Sequence, residues 1–138
     1  MYRWGLRVVR YITGTQGKYM ISPYGQILRV SYPGSRGRMT KERWLNGWDK
    51  NGYLWVDLCL GKIDNKLSRP IHILVAEHYL PNPNNLPEVN HKDGGKKNNW
   101  SSNLEWCTHA QNIQHAWDNG LIPMGNRIFG CKGAPIAI

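Results

Sequence analysis

The hydrophobic period of the chain changes at Pro70, and that change restricts the fold class more than any other feature. Before Pro70, apolar residues come in short runs cut by turn residues. Residues 19–22 and 26–30 read as strands flanking the turn chemistry of Ser22-Pro23-Tyr24-Gly25. Residues 53–60 and 66–69 read as a second pair joined by a loop over 61–65, and their Tyr, Leu, Trp and Val content suits a half-buried sheet. Residues 1–12 alternate loosely and read as a strand or an ordered arm. After Pro70, Ile71, Leu74, Val75, His78 and Tyr79 recur at helical spacing, and Pro81 and Pro83 end that helix. A short strand over 87–91, a loop over 92–102 and a strand over 104–107 follow. Thr108 and Gln111 make a capping box that opens a second helix, and Gly120 and Pro123 stop it. The expected class is α+β: a small β-rich module over 1–69, a mixed core over 70–120 and a tail over 121–138.

Charge divides at the same place. Residues 1–70 hold thirteen basic and four acidic side chains, whereas residues 71–138 hold five of each. All five histidines (His72, His78, His91, His109, His115) lie in the neutral half. A basic module of this kind suits a polyanion; a solvated basic face is the plainer alternative. Arg29, Arg36, Arg38, Lys41, Arg43 and Lys50, interleaved with Tyr32, Trp44 and Trp48, fit a ribbon or loop lying against double-stranded DNA. Most of these cations would meet phosphates, and one or two arginines would read guanine.

Other classes are excluded by what the chain lacks. The longest aliphatic stretch, residues 73–76, is far too short to span a bilayer, and residues 1–7 show no apolar leader. A cytoplasmic protein with no membrane partner is expected. Cys59, Cys107 and Cys131 are odd in number and unpaired in spacing, which argues against a disulfide framework and a zinc ribbon.

Several spaced submotifs after Pro70 agree in order and distance. They are Ile71-His72-Ile73-Leu74-Val75-Ala76-Glu77-His78-Tyr79, Pro81-Asn82-Pro83, Val89-Asn90-His91-Lys92-Asp93-Gly94, Lys97-Asn98-Asn99, Asn103-Leu104-Glu105-Trp106 and Gln111-Asn112. In these the chain resembles the HNH endonucleases of phage and intron homing type, over roughly residues 70–118. Residues 19–22, 25–28 and 52–56 are similar, more loosely, to the small module that precedes the nuclease in such enzymes.

The resemblance implies a ββα-metal nuclease core holding one divalent ion, Mg²⁺ or Mn²⁺, that hydrolyses DNA to 5′-phosphate and 3′-hydroxyl ends. It places His91 as general base, Asn90 and Asn112 as metal ligands, and Asn103 as the residue that pins the loop. It also implies a free-standing, phage-encoded enzyme, hence a bacterial host cytoplasm and a monomer. A neutral imidazole can take a proton from water near pH 7, and hard oxygens suit Mg²⁺. Asn at position 90, where an acidic relative has Asp, implies weaker metal binding. His109 and His115 share the helix face of Asn112, as either phosphate or water holders or surface residues; His72 and His78 read as packing or capping residues. A non-catalytic DNA-binding protein on the same scaffold is the alternative reading, and the intact His91 and Asn112 argue against it.

Overall fold

A computed structural model describes residues 9–34, 36–60 and 65–121. The expected features over 1–8, 61–64 and 122–138 lie outside them.

The part before Pro70 forms two antiparallel sheets. In the first, β1 (Arg10–Tyr11), β2 (Tyr19–Ile21), β3 (Ile27–Arg29) and β4 (Arg43–Leu45) lie in sequence order. In the second, β5 (Trp48–Lys50), β6 (Tyr53–Cys59) and β7 (Lys66–Pro70) do the same. The turn between β2 and β3 is knit by Ser22, whose Oγ accepts from the backbone N–H of Tyr24 and Gln26.

β4 and β5 escape the periodicity reading. Each has three residues and faces solvent almost throughout, so neither shows an apolar alternation. Asn51-Gly52, between β5 and β6, is nonetheless a strong hairpin signal. Both residues are left-handed, at φ 56° and 87°, and the register pairs Lys50 with Tyr53 directly across a two-residue turn.

After Pro70 come α1 (Ile71–Tyr79), the hairpin of β8 (Glu88–His91) and β9 (Leu104–Cys107), and α2 (His109–Asp118). The capping box is present: Thr108 Oγ1 accepts from Gln111 N at 3.2 Å, and Gln111 Oε1 accepts from Thr108 N at 2.9 Å. α1 is buried more widely than one apolar stripe would require, because His72 and Ala76 are enclosed along with Ile71, Leu74 and Val75.

One core joins the regions on either side of Pro70. Ile12, Tyr19, Ile21, Ile27, Val56 and Leu58 from the sheets pack with Ile71, Leu74, Val75, Val89 and Leu104. Each such aliphatic side chain contributes roughly 1.5–3 kcal/mol through burial. Two phenols fix the arrangement: Tyr19 Oη accepts from Cys59 N at 2.9 Å, and Tyr79 Oη donates to Ile21 O at 2.6 Å. The β8–β9 hairpin packs against α1 and α2 packs on β8, and a cavity lies among β8, α2 and Tyr53 of β6.

Candidate active site

The cavity has a volume of about 240 Å³, and Asn90, His91, Lys96, Asn112 and His115 line it together with Tyr53. Asn90 and His91 end β8 and are buried, whereas Asn112 reaches the cavity from the first turn and a half of α2.

The two amides are oriented by carboxylates. Asn90 Nδ2 donates to Glu105 Oε1 at 3.0 Å, across the directly paired positions of the hairpin. Asn112 Nδ2 donates to Glu88 Oε2 at 2.7 Å. A carboxylate only accepts, so each amide turns its nitrogen to its glutamate, and its oxygen takes no part in that bond. Two hard neutral oxygens on one cavity, each backed by a carboxylate, fit a hard divalent cation such as Mg²⁺. Among the described residues no three His, Cys, Asp or Glu side chains gather as a metal-binding group, so the amides are the donor set to consider. The Asn112 hydrogen bond, and then His109, hold the Glu88 carboxyl below its usual range.

His91 is oriented just as definitely. Its Nε2 lies 3.0 Å from Asn99 Oδ1, and an amide oxygen accepts only, so Nε2 carries the proton and Nδ1 keeps the basic lone pair. Burial pushes the imidazole below its ordinary value; Asn99 and Asp93 pull it upward, and Lys96 pushes it down. The ring packs against His72, centroids 5.0 Å apart, and Tyr53 lies over both. Burial, and then the neighbouring His91, push His72 down to about 4, so it is a neutral ring packed behind His91.

Asn103 does not line the cavity. Its Nδ2 donates to Asp93 Oδ1 at 3.0 Å and Asn98 O at 2.9 Å, while its Oδ1 accepts from Asp93 N at 3.1 Å, closing the loop between β8 and β9. His115 lies on the rim and bonds Lys92 O through Nε2 at 3.1 Å; His109 pairs with Glu88 at 2.6 Å. His78 bonds Leu74 O within α1 and Thr13 N beyond it.

None of the six basic residues expected to meet DNA lines the cavity. Arg36, Arg38, Lys41, Arg43 and Lys50 are exposed and Arg29 is half-buried. None of the six forms an ion pair among the described residues. Arg29 and Arg43 face each other in the β3–β4 register, a like-charge pair that an external anion would relieve.

Comparison with known proteins follows the same lines. No family model matches the chain. Two uncharacterized HNH endonucleases of Acanthamoeba polyphaga mimivirus are similar to it: one is 49% identical over 49% of this chain and 20% of its own length, the other 37% identical over 80% and 26%. The DNA endonuclease I-HmuI of Bacillus phage SP01 is 31% identical over 80% of this chain and 58% of its own. The solved structure of the HNH homing endonuclease I-HmuI, described for DNA binding and cleavage, superposes with a TM-score of 0.65 at 28% identity, over 90% of this chain and 66% of that one. The α+β architecture is therefore that of an HNH homing endonuclease, and the chain spans from a fifth to three fifths of the length of these curated relatives.

Periodicity does not single out Glu88, Glu105, Lys96, Tyr53 and Asn99 around the cavity. Signals for the glutamates exist: Glu88 shares a strand face with Asn90, and Glu105 faces Asn90 once the hairpin is in register. Lys96 and Tyr53 meet only through the tertiary fold, with the ammonium 4.9 Å from the ring centroid. No helix among the described residues is long and apolar enough to cross a membrane.

Proposed function

We propose that this chain is a metal-dependent DNA endonuclease of the HNH homing type, acting as a monomer on double-stranded DNA in a host cytoplasm. The observation that carries the reading is the convergence on one cavity of an imidazole bonded to an amide oxygen and two amides whose nitrogens are held by carboxylates. His91 Nδ1 takes a proton from the attacking water. The resulting hydroxide bonds to phosphorus as the P–O3′ bond breaks, leaving a 5′-phosphate and a 3′-oxygen that solvent protonates. Asn90 and Asn112 would hold Mg²⁺ or Mn²⁺, which when bound supplies positive charge to the phosphate and the leaving oxygen. Among the described residues Lys96 is the one formally charged side chain on the cavity wall, and its ammonium suits a non-bridging phosphate oxygen. Arg29, Arg36, Arg38, Lys41, Arg43 and Lys50 would track the DNA backbone.

Plasmid cleavage with Mg²⁺, Mn²⁺ or EDTA tests this. The expected result is metal-dependent cleavage that EDTA abolishes and that His91→Ala lowers about 10²- to 10⁴-fold without loss of DNA affinity. Binding without cleavage under every metal condition would instead leave a DNA-binding protein on an HNH scaffold.

A further inference from the structure

The β2–β3 turn of the basic module lies against the loop that carries Asn99. Pro23 O accepts from Ser101 N at 2.7 Å, and Tyr24 meets Trp100 edge-on with ring centroids 5.0 Å apart. Gly25 stands between these contacts with φ of 82°. A Cβ at Gly25 would lie 2.9 Å from Asn99 Cβ and 3.2 Å from Ile71 Cγ2. The position therefore needs glycine twice, for its left-handed backbone and for the close approach of Asn99. Asn99 is only 4% exposed, and its Oδ1 accepts from His91 Nε2. An unbroken line of contact thus runs from a turn before Pro70, through Asn99, to the imidazole in the cavity.

We infer that Asn99 is a positioning residue for His91 and that the Gly25 turn holds Asn99 in place, so that the N-terminal module serves the chemistry as well as DNA binding. The inference rests on the nuclease reading above. Asn99 keeps the proton on Nε2, leaves Nδ1 free to act on water and fixes the ring plane. Both side chains are buried and closely packed, so a displaced Asn99 carries the imidazole with it. A catalytic group misplaced by about 1 Å loses on the order of a hundredfold in rate.

The test is single-turnover cleavage by the full chain at saturating DNA, with thermal unfolding of each variant as the check on folding. Gly17 is the control: its φ is 75° and an added Cβ meets nothing within 4 Å, so Gly17→Ala imposes the backbone cost without the contact. Gly25→Ala and Asn99→Ala should each slow cleavage about 10- to 100-fold while DNA affinity stays unchanged. Asn99→Asp, which keeps an acceptor for Nε2, should recover most of the rate. The double variant should be no slower than Asn99→Ala alone, because both changes act through one contact. Gly17→Ala should cleave at the rate of the unaltered chain.

The inference is overturned if folded Gly25→Ala cleaves at full rate, if its loss matches that of Gly17→Ala, or if its effect adds in full to that of Asn99→Ala. Should Gly25→Ala not fold, full activity of Asn99→Ala still overturns it. An unaltered chain that leaves DNA intact with Mg²⁺ and Mn²⁺ removes the nuclease reading itself, an outcome distinct from an active chain indifferent to Gly25.

Discussion

Lys96 is exposed, yet its position is well determined. Its Nζ lies 3.3 Å from Asn51 O and over the Tyr53 ring, while the adjacent Lys97 is paired with Asp49 at 3.0 Å. Of two consecutive lysines, one is paired with Asp49 and the other lines the cavity with no ion pair among the described residues. If Lys96 meets the phosphate as charge builds in the transition state, Lys96→Met should lower the cleavage rate at saturating DNA by about 10²-fold. Lys96→Arg should retain much of it, and Lys97→Met should change the rate little; equal rates for Lys96→Met and the unaltered chain would remove Lys96 from the chemistry. The contrast between residues is instructive. Asn90, His91 and Asn112 are legible as candidates because a hairpin and the following helix place them locally. The Lys96–Tyr53 and Asn99–His91 contacts depend on side-chain directions in an irregular loop, where no period fixes which way a residue points.

α2 brings Asn112 to the cavity, so whatever fixes the start of α2 also fixes that amide. The Thr108–Gln111 box satisfies two N-terminal donors, and Asn112 N bonds Thr108 O at 3.0 Å in the first turn. Thr108→Ala should destabilise the fold by about 1 kcal/mol and loosen the Asn112–Glu88 pair. Denaturant unfolding would read the first effect. A higher Mg²⁺ requirement for cleavage would read the second, and stability loss with an unchanged metal requirement would show that the cap does not govern Asn112. The capping box is legible as a local pattern of two residues. β5 has an equally local signal in Asn51-Gly52, but its own Trp-Asp-Lys is too short and too exposed to read as a strand. Gly52 links that turn to the site, since a Cβ there would lie 3.0 Å from Lys96 Cδ.

At the scale of the whole molecule, charge and burial make separate predictions. Because the net positive charge lies before residue 71 and its exposed arginines lack ion pairs among the described residues, phosphate binding should depend on that region. Replacing Arg36 and Arg38 together by Ala should flatten the slope of log K against log salt by up to about two, at about 0.9 per phosphate contact; an unchanged slope would take both residues off the DNA. Burial acts on stability through His72. Its ring is enclosed in the shared core, 9% exposed, with Nδ1 unpartnered, and its value falls from 6.5 to about 4. Between those values the unfolded chain binds a proton that the folded chain refuses, so stability rises with pH across that window and is lost as pH falls through it. The full difference is on the order of 3 kcal/mol, and His91, lowered in the same direction, adds to it. His72→Phe keeps an aromatic ring against Tyr53 and removes the titration. Urea unfolding from pH 7 to pH 4 should therefore show a steep loss of stability in the unaltered chain and a shallower one in His72→Phe, with the two curves parting below about pH 6.5. Parallel curves would mean that His72 accepts its proton in the folded state and that the core around it is less closed than its burial indicates.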